Sequence, residues 1–518
     1  MIRTTDTTKV AVIGAGPGGL AAAMLLAAEG YEVDLYEQQA AVGGRSGELK
    51  LGDYRFDRGA TFLMMPHLLE ELFTLAGRSV HDYVSLTPLD PLYSLHFGDT
   101  VFTPSTNQDQ TAEEIERLFP GNGSGYRRFM AEEADKLERV IPLLQRPFQS
   151  LGDYVKRDVF HALPKLNATD TVYNRLSRYF DDERLRFSFT FQAKYLGMSP
   201  WECPGTFTIL SYMEHRYGLY HPTGGINRVL QAMAEVIQEH GGRVHTASGV
   251  KRIIVKDGQA AGLLLENGGK VDADYIVIGA DFGSAMTQLF EPGLLKKYAP
   301  DKIARKRYSC STAMLYLGVD GEVDLGHHSV HFADDYRRNV KEITELGVLS
   351  EDASIYIHNP SVIDKTLAPP GKSSLYVLMP VPNLSADINW EQEHAEVEDW
   401  MMQRLQQIPQ LAGIAGRVEE SLFFSPLDWQ NQQNVYNGAT FNLAHNLGQM
   451  MHLRPHNTFE EVRGIWLVGG GTHPGSGLPT IFESAKISAR LLREHDQAVR
   501  GRFTVQAGAP GAGAGVPL

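Results

Sequence analysis

The residues in this chain best placed to do chemistry include a cluster of glycines near its start. Lys9–Glu37 reads KVAVIGAGPGGLAAAMLLAAEGYEVDLYE. An apolar run, VAVI, enters the turn Gly14-Ala15-Gly16-Pro17-Gly18-Gly19. A helical run, Leu20–Ala28, follows and ends at Gly30, and a second strand-like run, EVDLY, leads to Glu37. Gly14 permits a tight turn, Gly16 lets backbone approach a pyrophosphate, and Gly19 lets helix and strand pack closely. Pro17 and Gly18 complete the turn, where phosphates would sit on the free N–H groups and positive dipole end of the helix. Glu37, with Gln38 beside it, is expected to accept hydrogen bonds from ribose hydroxyls and to disfavour a ribose carrying a 2′-phosphate. The pattern reads as a dinucleotide site.

Three further stretches extend that site by resemblance. VGGRSGELKLGDYRFDRGATFL follows shortly after Glu37. Its Gly43-Gly44-Arg45 looks like the extended flavoprotein signature, in which a second glycine pair and a cation continue along a cofactor longer than NAD. The segment YRFDRGATF resembles the one that runs beneath the flavin, with Gly59, Ala60 and Thr61 small enough for a ring to approach. In SGVKRIIVKDG, Val250 matches the valine whose backbone meets the adenine. Near the end of the chain, WLVGGGTHPGSGLPTIFESAKISARLL pairs an apolar strand with a glycine-rich loop and an amphipathic helix. This last stretch closely resembles the C-terminal signature of the bacterial carotenoid desaturases, the phytoene desaturase family of flavoproteins.

The resemblance runs from about Val10 to about Arg493. Within the family, GATFLMMPHLLEELFTLAGR, RYSCSTAMLYLGVD, SIYIHNPSVIDKTLAPPGKSSLYVLMPVP and the RPHN at Arg454–Asn457 look most like diapophytoene (dehydrosqualene) desaturases. It implies FAD held without a covalent bond, with Gly470, Gly471, Leu478, Pro479 and Thr480 at the flavin end. Pro479 suits the first turn of a helix, whose N-terminus would stabilise negative charge on a reduced flavin. The implied reaction is dehydrogenation of a linear carotenoid precursor, with hydride passing to flavin and a proton leaving the neighbouring carbon. Oxygen or a quinone would reoxidise the flavin. No catalytic base is evident. His473 is a candidate proton acceptor, against a plain loop residue bonded to backbone. The sequence HHSVH, His327–His331, has metal-like composition, but it reads as a strand and the chemistry asks for no metal, so none is expected. A terminal-methyl oxidase, a carotenoid isomerase, a flavin amine oxidase and a flavin-free lipid-binding protein of the GDI type share the fold and stay open as alternatives.

These residues need elements to hold them. The implied class is α/β: a Rossmann-like FAD-binding domain of the glutathione-reductase/amine-oxidase type, built from discontinuous segments, with an inserted mixed α+β substrate domain. The expected segments are 1–85, 221–310 and 461–500 for FAD, a substrate- and membrane-associated helical region at 86–220, a mixed sheet at 311–460, and a disordered tail at 501–518. INRVLQAMAEVIQEHGG reads as a helix with a Gly-Gly stop, and the turns KDG and ENGG mark hairpins.

The 518 residues carry a net charge of −14. That excludes nucleic acid as a natural partner and leaves anionic lipid no electrostatic hold. Contact with a membrane would need an exposed apolar patch. The location expected is cytoplasmic and peripheral to the inner face of the cell membrane. Val10–Ala28 lacks charge like a membrane span, but its glycines and Pro17 argue for a buried strand-turn-helix. The two cysteines, Cys203 and Cys310, form no metal or disulfide framework. Met64, Met65, Met198, Met213, Met450 and Met451 lie in or next to segments that resemble flavin-flanking or substrate-domain regions, where methionine adapts to an irregular apolar tunnel, against plain core packing, the stronger reading for most of them singly.

Overall fold

The computed structural model describes residues 7–507. A five-stranded parallel sheet forms the nucleotide half. Its order is Arg243–His245, Glu32–Tyr36, Lys9–Ile13, Tyr275–Ile278 and Ile465–Leu467. The strand before the glycine turn is therefore central, flanked by Glu32–Tyr36 and Tyr275–Ile278, in a sheet drawn from the N-terminal, middle and C-terminal parts of the chain. The helix that follows, Pro17–Ala28, begins at the proline and is buried continuously from Gly18 to Ala27. A helix apolar on every side belongs in a core, which accounts for the uncharged run Val10–Ala28. It packs against the helices Ile226–Glu239 and Leu478–Ala507. The first of these buries Ile226, Val229, Leu230, Met233, Val236 and Ile237, the spacing of one helical face. The hairpins expected at KDG and ENGG are present in the sheet Val250–Lys256, Gln259–Leu265 and Lys270–Asp272.

The other half is built on a seven-stranded sheet. Its order is Val418–Phe424, Ser311–Val319, Ser373–Val381, Ile355–His358, His328–His331, Ser94–Phe97 and Thr100–Phe102. Only the pair His328–His331 and Ser94–Phe97 runs parallel. The segment expected as helical, 86–220, thus contributes two strands to this sheet before its helices begin. Those helices, among them Gly123–Leu144 and Ile209–Tyr217, enclose an aromatic core that includes Tyr126, Phe129, Phe180 and Phe189. Ser311–Val319 is buried along its whole length. One of its faces packs under the helix Trp390–Gln406 and the other meets Tyr54 and Trp429. No helix among the described residues is long and apolar enough to cross a membrane. The C-terminal helix continues through Ala507, into the segment expected as tail; the rest of that tail lies outside the described residues.

One buried cation organises the return of the chain to the nucleotide half. Arg454 is 1% exposed. Its guanidinium donates to the carbonyls of Gly470 at 2.5 Å, Thr472 at 3.1 Å, Gln449 at 3.2 Å and Leu443 at 3.4 Å. Burial lowers its pKa to about 9. Asn457 adds a donor to the carbonyl of His473 at 3.0 Å. The RPHN stretch therefore holds the glycine-rich loop by its carbonyls. Replacing Arg454 by Met removes these donors from buried acceptors, each hydrogen bond to a charged group contributing roughly 1.5–3 kcal/mol. Arg454→Met is expected to lower the urea midpoint by the equivalent of roughly 2–4 kcal/mol; an unchanged midpoint contradicts the clamp.

Candidate active site

The glycines of the sequence motifs meet one another directly. A Cβ on Gly19 would lie 2.0 Å from the carbonyl oxygen of Gly14, so only glycine allows the helix this close to the strand. Gly18 abuts Gly469 of the C-terminal run, where a Cβ would come within 3.1 Å of backbone. Gly44 approaches Gly16, and the N–H of Gly43 donates to the Ala15 carbonyl at 2.8 Å. Three stretches far apart in sequence thus form one backbone surface. Gly16 differs from its neighbours: its φ is −75°, and a Cβ there would meet nothing within 4 Å. It opens onto a long cavity.

One wall of that cavity is Gly14, Gly16, Pro17 and Gly18, and one end is Glu37, Gln38 and Val250. Gly44 and Arg45 follow, then Gly59, Ala60 and Thr61. Gly470, Gly471, Leu478 and Pro479 close the far side. Of the residues expected at the site, three do not line it. Gly19 sits behind the turn and Gly43 is packed against Gly47 and Asn227. Thr480 bonds back to the Ser476 carbonyl at 2.6 Å and braces the loop at the start of the last helix. These three shape the wall from behind.

The polar end is pre-organised. Glu37 is 5% exposed, and its two carboxylate oxygens accept the N–H groups of Ala15 at 2.7 Å and Gln39 at 2.8 Å. It therefore fixes the glycine turn itself. Arg45 lies 3.4 Å from Asp281 and donates to the Thr440 carbonyl at 3.1 Å. With its amide oxygen toward Arg45 at 2.8 Å, Asn442 donates to Asp281 at 2.9 Å and bridges the pair. Burial raises the Asp281 carboxyl, and Arg45 opposes that rise. Asp281 and Asn442 line the cavity and were not singled out in the sequence. The signal for Asp281 was its place three residues beyond the end of the strand Tyr275–Ile278, at the strand ends where α/β sheets bind ligands. Asn442 lies in irregular chain and left no comparable signal.

The other arm of the cavity is apolar. Phe62, Met64, Phe191, Leu210, Met314 and Leu378 line it. Of the six methionines weighed between tunnel and core, Met64 is in the wall. Met65, Met198 and Met213 are buried in the aromatic core, and Met451 packs against that core. Met450 does not line the cavity, and Met314 does. Cys310 also lines it, whereas Cys203 is buried elsewhere. Tyr356 projects its hydroxyl between Thr61 and His328, 2.7 Å from each. Burial raises its phenol well above the usual range. His473 does not line the cavity. Its ring bonds the carbonyl of Arg146 at 2.9 Å and packs on Phe148, and burial lowers its pKa to about 4. Its place is that of a loop residue tied to backbone.

The glycine surface, the uncapped start of the helix Pro17–Ala28 and the open face at Gly16 fit a long dinucleotide. A family model described as flavin containing amine oxidoreductase matches residues 17–493. A 4,4′-diapophytoene desaturase (4,4′-diapolycopene-forming) of Methylomonas sp. is 43% identical over 489 residues, 94% of this chain and 96% of its own. A zeta-carotene-forming phytoene desaturase of Myxococcus xanthus is 35% identical, covering 95% of both chains. A 4,4′-diapophytoene desaturase (4,4′-diaponeurosporene-forming) of Staphylococcus aureus is 32% identical over 95% of this chain and 100% of its own. Among solved structures, an oxidoreductase from Methanosarcina mazei superposes with a TM-score of 0.62 at 19% identity, over 94% of this chain and 100% of that one. Cyclohexylamine oxidase from Brevibacterium oxydans gives 0.57 at 17%, over 95% and 100%. These structural likenesses show the fold. The identities over nearly the whole chain show the family: this chain belongs to the carotenoid desaturases, within the flavin-containing oxidoreductases.

Proposed function

We propose that this protein introduces conjugated double bonds into a linear, thirty-carbon carotenoid precursor of the diapophytoene type, with FAD bound non-covalently in the cavity. The observation that carries the reading is a single cavity whose glycine-lined end suits a dinucleotide and whose apolar arm suits a hydrocarbon. The 43% identity to the diapophytoene desaturase of Methylomonas sp. supports the thirty-carbon substrate.

When bound, the flavin supplies the acceptor for hydride. The chain's own residues do the remaining work. Glu37 holds the glycine turn and accepts ribose hydroxyls with its spare lone pairs. Arg45 and the N-terminus of the helix Leu478–Ala507 oppose negative charge along the cofactor. Gly59, Ala60 and Thr61 keep one face free of bulk. Phe62, Met64, Phe191 and Met314 align the polyene and exclude water, which supplies orientation in place of a strong base. Among the described residues the apolar arm shows no carboxylate, and the Tyr356 hydroxyl is held as a neutral phenol. The proton leaves a carbon whose developing charge is delocalised along the conjugated chain. Oxygen or a quinone accepts the electrons afterwards.

A hydrocarbon substrate must be collected from lipid. Leu151, Val155 and Phe160 are 73%, 81% and 69% exposed within ten residues of chain, and Leu163 adds to them. We assign this patch to a bilayer surface at the inner face of the cell membrane. Each buried side chain of this size contributes roughly 1.5–3 kcal/mol. The combined variant Leu151→Ser, Val155→Ser, Phe160→Ser is therefore expected to co-sediment with neutral phosphatidylcholine vesicles at least about tenfold more weakly than the parent. Equal sedimentation refutes the patch.

Two further outcomes test the cofactor and the reaction. Gly16→Val is expected to purify with about a tenth or less of the parent's flavin absorbance, because its side chain enters the cavity. The stripped parent and variant should melt together, since a Cβ at this position meets nothing within 4 Å. A variant that keeps its flavin contradicts the assignment. Expression in a host that accumulates dehydrosqualene is expected to yield coloured products lighter by two hydrogens per step. If only a forty-carbon host gives colour, the substrate length is wrong.

A further inference from the structure

Three histidines from separate segments meet in the interior. His221 belongs to the strand Leu219–Pro222, His327 precedes the strand His328–His331, and His358 ends Ile355–His358. They are 2%, 8% and 0% exposed. One ring nitrogen from each lies within 4.8 Å of the others. Nδ1 of His221 and Nε2 of His327 are 3.1 Å apart. Behind them, Nε2 of His221 is 2.9 Å from a carboxylate oxygen of Asp364. Asp364 also accepts the Gly224 N–H at 2.7 Å and the Thr366 hydroxyl at 2.6 Å.

The cluster is not satisfied by its own hydrogen bonds. Both nitrogens of His358 and Nδ1 of His327 are buried with no partner in the protein. A buried polar atom left unpaired costs about 1–3 kcal/mol, and one ring nitrogen of His358 faces the His221 and His327 rings, where an ion would pair it. Burial pushes His327 down to about 3 and His358 well below the usual range. Burial works to raise Asp364, but the donors from His221, Thr366 and Gly224 outweigh it and hold the carboxyl well below its ordinary value. A histidine ligand usually gives its second nitrogen to a carboxylate, which orients the ring toward the ion. Nitrogens bound at about 2.0–2.1 Å on a tetrahedral zinc lie roughly 3.4 Å apart. The closest pair is already near that spacing, and the third closes by shifts of about an ångström.

We propose that His221, His327 and His358 bind a divalent transition-metal ion of the zinc class, with Asp364 as the carboxylate behind His221. The ion ties the strand leading into the nucleotide-half helix Ile226–Glu239 to two strands of the seven-stranded sheet. Its effect reaches the cavity through one further ring. His328 stacks on His358 with centroids 4.9 Å apart and holds the Tyr356 hydroxyl. The role is positional, and the reaction draws nothing from the metal. The run HHSVH, dismissed as a metal site from sequence, supplies one ligand, and the other two lie far from it along the chain.

The test is elemental analysis of the flavin-loaded protein purified from zinc-supplemented cells, followed by melting with chelator and with zinc restored. About one zinc per chain is expected, falling at least about fivefold in His358→Gln and in His221→Gln at unchanged flavin content. Chelation should lower the melting temperature and zinc should restore it. Parent protein with under about a tenth of an equivalent of any first-row metal, and no thermal response to added zinc, overturns the site and leaves water as the bridge. So do variants that retain the parent's zinc. Should a variant fail to fold, chelation and restoration on the parent protein decide.

Discussion

The structure depends on backbone approaching backbone at the glycine turn. Gly19 touches Gly14 and Gly279, while Gly18 touches Gly469. These contacts bring the starts of the first and last helices of the nucleotide half to the same cavity. Any side chain at Gly19 would push the helix from the strand, since its Cβ would overlap the Gly14 carbonyl. The helix is buried on every side, so it has nowhere to move. The same contacts join the N-terminal motif to a loop more than four hundred residues later. Arg454 then holds that loop by its carbonyls. It is a buried charge satisfied by backbone dipoles rather than by a carboxylate.

From that constraint follows a division of labour along the cavity. Where glycines dominate, backbone and a few fixed charges face the ligand. Beyond Thr61 the wall becomes aromatic and aliphatic. The polar groups that remain, such as the Tyr356 hydroxyl, are bonded to protein neighbours. A site of this kind favours a reaction limited by alignment and dryness. The fold alone does not choose that reaction, because amine oxidases share it. The apolar arm and the full-length relatives point to the hydrocarbon.

Much of the nucleotide half was legible because its signals are local. The strand, turn, helix and acid of Lys9–Glu37 lie within one short run, as do the hairpins at KDG and ENGG. The role of Glu37 was only half legible: its position was plain, but its grip on the Ala15 N–H appears only in three dimensions. Features assembled from distant segments left little trace. Ser94–Phe97 and Thr100–Phe102 complete a sheet whose other strands lie more than two hundred residues away. Arg454 stood out as part of a family-like stretch, yet its partners are carbonyls, which sequence does not label. Asp281, Asn442 and Met314 reach the cavity from separate elements. His473 drew attention through its loop, and the loop turns its ring away toward Arg146.

The central claim is that one cavity brings a flavin and a linear hydrocarbon together for dehydrogenation. It is tested most directly by mixing the oxidised, flavin-loaded protein with dehydrosqualene-bearing vesicles without oxygen. The account predicts bleaching of the flavin absorbance matched by an equal amount of product lighter by two hydrogens. Flavin that stays oxidised with this hydrocarbon, yet bleaches with a primary amine, would contradict it.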